Sequence, residues 1–308
     1  MDSLINDGHP FLTVDERTAG MAPRQVRAAV ARGELRRMYR GCVVDNRVPD
    51  SRRLRVEALD LIKPKHGVAC NETAAFLYGI DAYKPSERFE LRPFFVVPHA
   101  TPRIERPNVR CRQALIDHED LVEVEGIVAT TPVRTTSDLL RGLYRPYALA
   151  AADAFARAGL IQRDELIDYI GRLKGYRWIV QARGLAVLVD GRAESPGESW
   201  QRLRIHDAGL PPPDLQVEVA LPDGSLRRLD LAYPELLIGS EYDGTIFHSH
   251  VDDVAHDVER RRELTEIYGW RWVNGTRARI FGPDPSFEIE LGELLGIPPL
   301  LPRRWGGR

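Results

Sequence analysis

Hydrophobic positions near the N-terminus recur with a helical period and then alternate. Val26, Ala29 and Val30 are spaced i, i+3 and i+4, which places them on one face of a helix. A capped shorter helix precedes it, and two short strands follow around Arg40-Gly41. The pattern therefore predicts two helices and a hairpin, over residues 13–20, 22–32, 35–39 and 42–44. This is the order of a winged helix-turn-helix, which we place at residues 1–53.

Residues 54–190 carry weaker patterns and no catalytic constellation. Helical periodicity is found over residues 54–62, 71–78, 130–141 and 148–158, and a strand pattern over residues 89–97. Residues 160–192 have the character of a helical connector. We therefore expect a mixed α/β middle region over residues 54–190.

The pattern changes again near residue 195. Ser195-Pro196-Gly197-Glu198 has the form of a capped helix start, and Pro222-Asp223-Gly224-Ser225 is a turn between two strands. The prediction is a helix, three strands, a helix and a strand, over residues 195–206, 215–221, 226–233, 236–242, 251–267 and 270–273. The whole chain is thus expected to be an α+β multidomain protein, with its third domain at residues 191–308.

The N-terminal segment differs from the rest of the chain in its charge. The formal net charge of the chain is −2, but residues 24–55 hold ten arginines against three acidic residues, a local balance of +7. Such an excess suits the phosphate backbone of a nucleic acid, whereas a solvated arginine-rich surface is the alternative. The arginines that we expect to bind DNA from the second helix and the hairpin are Arg24, Arg27, Arg36, Arg37 and Arg40.

The segment MAPRQVRAAVARGELRRMYRGCVV, residues 21–44, resembles the winged helix of AbiEi-type antitoxin proteins. The resemblance covers about 45 residues. It implies that this segment binds duplex DNA, and it makes a toxin or a second copy of the chain the expected protein partner.

Composition excludes several classes of protein. No run of about 18 apolar residues is present, so we expect no membrane span, and the first residues lack a secretory signal pattern. Cys42, Cys70 and Cys111 are odd in number and far apart, which favours free thiols and a cytoplasmic location.

Carboxylates in the third domain have a spacing that suits a metal site. Asp230 lies on one predicted strand, and Glu241 follows eleven residues later on the next. Asp243 is two residues beyond and shares the face of Glu241 in an extended chain. Converging carboxylates are the ligands that Mg²⁺ prefers, and the ion activates water against a phosphate. The sequence therefore predicts a Mg²⁺ site at Asp230 with Glu241 or Asp243.

The acidic pattern resembles the PD-(D/E)XK nucleases, although Asp243 stands where that family has lysine. EYDGTIFHSH and DVERRRELTEIYGWRWV are more closely similar to Vsr-type (very-short-patch-repair) endonucleases. That resemblance implies a restriction-endonuclease-like α/β domain. Under it Glu198 completes the acidic cluster, His248 or His250 acts as general base, and Arg260 and Arg261 neutralise phosphate charge.

Structural roles compete with each of these assignments. Ser195-X-X-Glu198 is also a capping box, Asp230 follows two arginines that it could pair with, and Asp243-Gly244 is a common turn pair. The leading hypothesis is a Mg²⁺-dependent DNA endonuclease that is targeted by the winged helix. The alternative is a non-catalytic, antitoxin-like transcriptional regulator with a degenerate nuclease domain, and an RNA-directed nuclease ranks third.

Overall fold

The computed structural model of the protein describes residues 8–13, 22–82, 92–99, 101, 109–243, 261–303 and 305. Its contacts divide the chain into two compact units, Met1–Asp138 and Leu139–Arg308. The division falls inside the middle region that we predicted, and the domain boundaries near residues 53 and 190 stay predictions. None of the described helices is long and apolar enough to cross a membrane.

A three-stranded antiparallel sheet and one helix form the start of the first unit. The elements are β1 (Phe11–Leu12), α1 (Pro23–Ala31), β2 (Leu35–Tyr39) and β3 (Cys42–Asp45), with sheet order β1-β3-β2. α1 buries Val26 and Ala29 against Phe11, Leu35 and Val43. The predicted second helix and hairpin are therefore confirmed, whereas the predicted first helix lies, beyond Thr13, outside the described residues.

The rest of the first unit is built around a five-stranded sheet. Its elements are α2 (Arg52–Ile62), β4 (Val68–Ala69), α3 (Asn71–Leu77), β5 (Phe94–Val97), β6 (Arg110–Gln113), β7 (Leu121–Val124), β8 (Ile127–Thr130) and α4 (Pro132–Gly142). The sheet order is β6-β5-β4-β8-β7. The Ser51 hydroxyl accepts from the Leu54 amide and caps α2. Leu59 and Ile62 of α2 then pack with Phe95 in one core.

A buried ion-pair network ties α4 to the loop before β7. The Arg134 side chain is only 4% exposed, and its Nη1 lies 2.6 Å from Asp120 Oδ2. Its Nε donates to Asp138 Oδ2 at 3.1 Å. Asp120 and Asp138 are themselves buried, so Arg134 neutralises two carboxylates that have little access to water.

The second unit begins with helices and continues into a mixed sheet. Its helices and the strands between them are α5 (Arg145–Arg157), α6 (Arg163–Arg172), α7 (Ile179–Ala186), α8 (Pro196–Asp207), β9 (Asp214–Ala220), β10 (Leu226–Tyr233), β11 (Ile238–Ser240) and β12 (Tyr242–Asp243). Helical residues 261–268 come next, followed by β13 (Arg271–Trp272), β14 (Gly275–Thr276), α9 (Arg277–Phe281) and α10 (Ser286–Leu295). The main sheet has order β13-β11-β10-β9, in which β13 is parallel to β11 and the other pairs are antiparallel.

The predicted strand over residues 236–242 is wrong in its extent. Residues Pro234–Leu236 form a 3₁₀ turn, and Leu237 has a left-handed φ of 51°. The 3₁₀ turn and this conformation interrupt the extended chain, so β11 begins only at Ile238. After Ser240 the chain leaves the main sheet, and β12 pairs with β14 instead. Glu241 therefore lies between two strands of different sheets.

The buried position of Arg134 predicts a large effect of its removal. Arg134→Ala leaves the Asp120 and Asp138 carboxylates without their shared guanidinium. We expect the free energy of unfolding to fall by about 3–5 kcal/mol, the usual loss for one partner of a buried pair. Urea denaturation of the full chain, followed by circular dichroism, measures it.

Arg53→Ala is the control for this measurement. Arg53 also pairs with a carboxylate, that of Glu57, but its side chain is 83% exposed. An exposed pair contributes less than about 1 kcal/mol. Equal losses in the two variants would contradict the role that we assign to Arg134.

Candidate functional site

Four arginines of the N-terminal helix and hairpin are exposed and have no carboxylate partner among the described residues. Arg24 and Arg27 are exposed on α1, off the face that buries Val26. Arg37 on β2 and Arg40 at the hairpin turn are exposed as well. No carboxylate of the described residues forms an ion pair with any of the four. We refer to these four residues as the unpaired arginines.

Other arginines of the same segment are neutralised by neighbours. The pairs are Arg32 with Glu34, Arg47 with Asp45, Arg52 with Glu125, Arg53 with Glu57 and Arg55 with Asp50. The hydrogen bond from the Arg55 side chain lowers the pKa of Asp50 below its usual value. The local excess of positive charge is therefore concentrated on the helix and the hairpin.

Arg36 differs from the other predicted DNA-binding residues. It is half-buried on β2, and its Nη1 donates to the carbonyl oxygen of Val48 at 2.5 Å. That bond ties the hairpin to the segment that follows it. The predicted DNA contact of Arg36 stays a prediction, and the geometry gives its guanidinium a structural partner.

In the second unit, Asp230 and Glu241 adjoin the last residue pair between β10 and β11. That pair is Leu231 with Ser240, in an antiparallel register. The pairing ends there, because the chain leaves the main sheet after Ser240 and β12 pairs with β14. Asp230 is half-buried, whereas Glu241 is only 3% exposed. The convergence of the two carboxylates on adjoining strands stays a prediction.

A single arginine joins the other two predicted carboxylates. Arg261 Nε lies 2.9 Å from Glu241 Oε2, and Arg261 Nη2 donates to Asp243 Oδ1 at 2.8 Å. We call Arg261, Glu241 and Asp243 the carboxylate clamp. The sequence suggested a phosphate contact for Arg261, but here its guanidinium bridges two side chains of its own domain.

Glu198 serves the start of α8. Its Oε2 accepts from the Glu194 amide at 2.9 Å, and the Ser195 hydroxyl accepts from the Glu198 amide. The serine half of the capping box is thus present, whereas the Glu198 side chain binds the amide of the residue before the N-cap Ser195. Glu198 also accepts from Gln216 Nε2 at 3.0 Å, a partner that the sequence pattern did not suggest. Gly197 beside it gives room to the Tyr242 ring, which a Cβ would meet at 2.2 Å.

The described carboxylates do not fit a divalent cation. A hard cation needs several oxygen ligands turned toward it, and the clamp turns two of them toward a guanidinium. Within the described residues no three His, Cys, Asp or Glu side chains are grouped closely enough to hold a metal ion. His248, His250 and Arg260 lie outside the described residues. The predicted Mg²⁺ and general base stay predictions.

Comparison with known proteins assigns the chain to a family. The AbiEi antitoxin C-terminal domain matches residues 67–188, from β4 to just beyond α7. The match to an AbiEi domain lies in the middle region and not on the segment that suggested the family, so the AbiEi-type winged helix at the N-terminus stays a prediction. The Vsr resemblance stays a prediction.

Two proteins from different strains of Mycobacterium tuberculosis, the uncharacterized proteins MT2308 and Rv2248, are also similar to the chain. Each is 34% identical to it over 253 residues, which is 82% of this chain and 89% of the relative. The chain therefore belongs to the same protein family as these two mycobacterial proteins, and its residues 67–188 match the AbiEi antitoxin C-terminal domain.

Proposed function

We propose that the protein is a DNA-binding regulator of the AbiEi antitoxin type that holds duplex DNA with the unpaired arginines. The proposal rests on one observation: within one short segment, some arginines pair with carboxylates and others do not. Arg24, Arg27, Arg37 and Arg40 have no carboxylate partner among the described residues, whereas five neighbouring arginines do. Guanidinium groups that lack a carboxylate partner among the described residues suit a polyanion such as DNA. Their binding releases the counterions that are condensed on the polyanion, which favours association.

The positions of the arginines also fit a winged helix on duplex DNA. Arg24 and Arg27 occupy the first two turns of α1, and the N-terminal residues of a recognition helix are the ones that contact base edges. Arg37 and Arg40 belong to the hairpin, which in this motif runs along the phosphates. The antitoxin match supports a regulatory role and a toxin as protein partner.

In this proposal the C-terminal domain is not catalytic. The clamp supports this view because Arg261 already supplies a positive charge to both Glu241 and Asp243. The Mg²⁺-dependent endonuclease is the second candidate, and it is favoured by the positions of Asp230 and Glu241 next to the paired residues Leu231 and Ser240. The two candidates differ in one measurable outcome, which is cleavage of DNA.

The unpaired arginines predict a change in the salt dependence of DNA binding. Each lost phosphate contact lowers the slope of log K against log salt concentration by about 0.9 in magnitude. We expect Arg37→Ala and Arg40→Ala each to lower it by about this amount, and the double variant by about twice as much. Fluorescence anisotropy with the duplex that precedes the protein's own coding sequence measures the slope.

Arg32→Ala is the matched control for DNA binding. Arg32 follows the last residue of α1 and is exposed like Arg27, but its side chain already pairs with Glu34 at 2.7 Å. Its removal should leave the slope unchanged. If Arg32→Ala weakens binding as much as Arg27→Ala does, net charge and not the unpaired set accounts for affinity, and the proposal fails.

The absence of catalysis is tested with supercoiled plasmid. We expect the purified full chain to bind the plasmid and to leave it supercoiled in the presence of Mg²⁺, as it does with EDTA. Gel electrophoresis over time gives the readout. Nicking that requires Mg²⁺ and disappears in Asp230→Ala would establish the second candidate in place of the first.

The clamp predicts unequal effects for two adjacent arginines. Arg261→Ala leaves the buried Glu241 without its guanidinium, so the free energy of unfolding should fall by about 2–3 kcal/mol, below the loss for a wholly buried pair. Arg262 pairs with Glu266 on the surface, and Arg262→Ala should cost less than about 1 kcal/mol. Urea denaturation of both variants compares them, and a smaller loss for Arg261→Ala would refute the clamp.

A further inference from the structure

The segment between α6 and α7 combines exposed rings with positive charge. Residues 169–189 contain four cationic side chains and no acidic one. The cations are Arg172, Lys174, Arg177 and Arg183, and none of them pairs with a carboxylate in the part of the chain that the structure describes. We call residues 172–183 the ring–cation loop. The sequence pattern predicts a helical connector here, and the structure shows the non-helical residues 173–178 between the two helices.

The aromatic side chains of the loop remain in contact with water. Trp178 is 59% exposed and Tyr176 is 39% exposed. Large aromatic rings gain free energy when they are buried, so rings left at a surface mark binding sites more often than smaller side chains do. Val180 is also exposed, at the start of α7.

Each ring already carries a guanidinium on one side. The Arg177 Cζ atom lies 5.1 Å from the centre of the Trp178 ring, and the Arg141 Cζ atom lies 5.0 Å from the centre of the Tyr176 ring. This cation–π contact keeps the positive charge of the guanidinium next to the face of the ring. A planar ligand that stacks on the ring therefore finds a cation for its own negative group beside it.

Side-chain hydrogen bonds to backbone carbonyl groups hold the ring–cation loop in place. Trp178 has a φ of 63°, a left-handed conformation that is strained for a bulky residue. Gln181 Nε2 donates to the carbonyl oxygens of Leu140 and Leu143, which anchors the first turns of α7. Arg183 Nη2 donates to the carbonyl oxygen of Leu173 and closes the loop at its other end. The rings are thus presented by a fixed backbone, as a preformed binding surface requires.

We propose that the ring–cation loop binds single-stranded nucleic acid. Bases stack on Trp178 and Tyr176, and the phosphates between them contact Lys174, Arg177 and Arg183. Surfaces for single strands combine aromatic platforms with uncompensated cations, and the loop offers both. In a duplex the base faces are already stacked on one another, so the rings select for unpaired strands.

The charge favours a nucleic acid over the other macromolecules. A strand supplies a phosphate for every base, which matches a surface where rings and cations alternate along the chain. An acidic protein would satisfy the cations but would leave the stacking faces of the rings unused. This surface lies in the second unit and is separate in sequence from the unpaired arginines, so it stands whether or not they bind duplex DNA.

The test uses the full chain and labelled oligothymidylate and oligouridylate of about 12 nucleotides, within the usual site size of about 4–16. Fluorescence anisotropy gives the dissociation constant for each. Trp178→Ala should weaken binding at least about fivefold, the loss expected from one stacked base. Trp178→Phe, which keeps a ring, should retain most of the affinity, and comparison of the two probes distinguishes DNA from RNA.

Two further variants separate the loop from general effects. Val180→Ala changes an exposed residue of the same helix and should leave oligonucleotide binding unchanged. Arg27→Ala should weaken binding of duplex DNA and not of the oligonucleotides, whereas Trp178→Ala should do the reverse. If Arg27→Ala does not weaken duplex binding while Trp178→Ala still weakens oligonucleotide binding, only the proposed regulatory function is overturned.

Three results would overturn the inference. The first is no binding of either oligonucleotide by the unaltered chain at low salt. The second is equal affinity in Trp178→Ala, Arg177→Ala and the unaltered chain. The third is binding of labelled polyglutamate with the same dependence on Trp178, which would assign the loop to an acidic protein instead.

Discussion

The pairing of arginine with carboxylate governs both the stability of this protein and the surfaces that it leaves available. The chain holds 43 basic and 45 acidic residues, so nearly every cation could in principle be matched. Where a guanidinium is buried, as at Arg134, its partners are buried with it. Where a cation is exposed, pairing contributes little free energy. Stability therefore does not decide whether a cation at the surface has a partner.

The same constraint operates at the acidic residues of the C-terminal domain. A metal site keeps its carboxylates together by the charge of the ion. In this chain Glu241 is almost wholly buried, and an anion in that position needs a cation close to it. Arg261 supplies one and also holds Asp243. The protein thus stabilises a buried acidic group with an internal salt bridge.

The sequence pattern predicted the elements whose conformation depends mainly on their own consecutive residues. The helix at Pro23–Ala31 and the strand at Leu226–Tyr233 agree with the expectation, because apolar spacing and turn residues are properties of consecutive positions. The two-residue strand at Phe11–Leu12 carries no such period and forms only because β3 lies beside it. The partner of Glu241 is twenty residues away in sequence, so spacing identified the acid but not the cation that neutralises it.

The two positively charged surfaces are not the result of a shortage of acid nearby. Glu34 lies between the unpaired Arg27 and Arg37 in sequence, and it pairs with Arg32. Asp164 and Asp190 flank the ring–cation loop on either side, and they contact Arg163 and Arg192, outside the loop. At both surfaces, carboxylates close in sequence pair with arginines outside the set, and the exposed cations of the set have no carboxylate partner among the described residues. Because such an arrangement gains no folding free energy, a polyanion that binds there accounts for it better than the fold does.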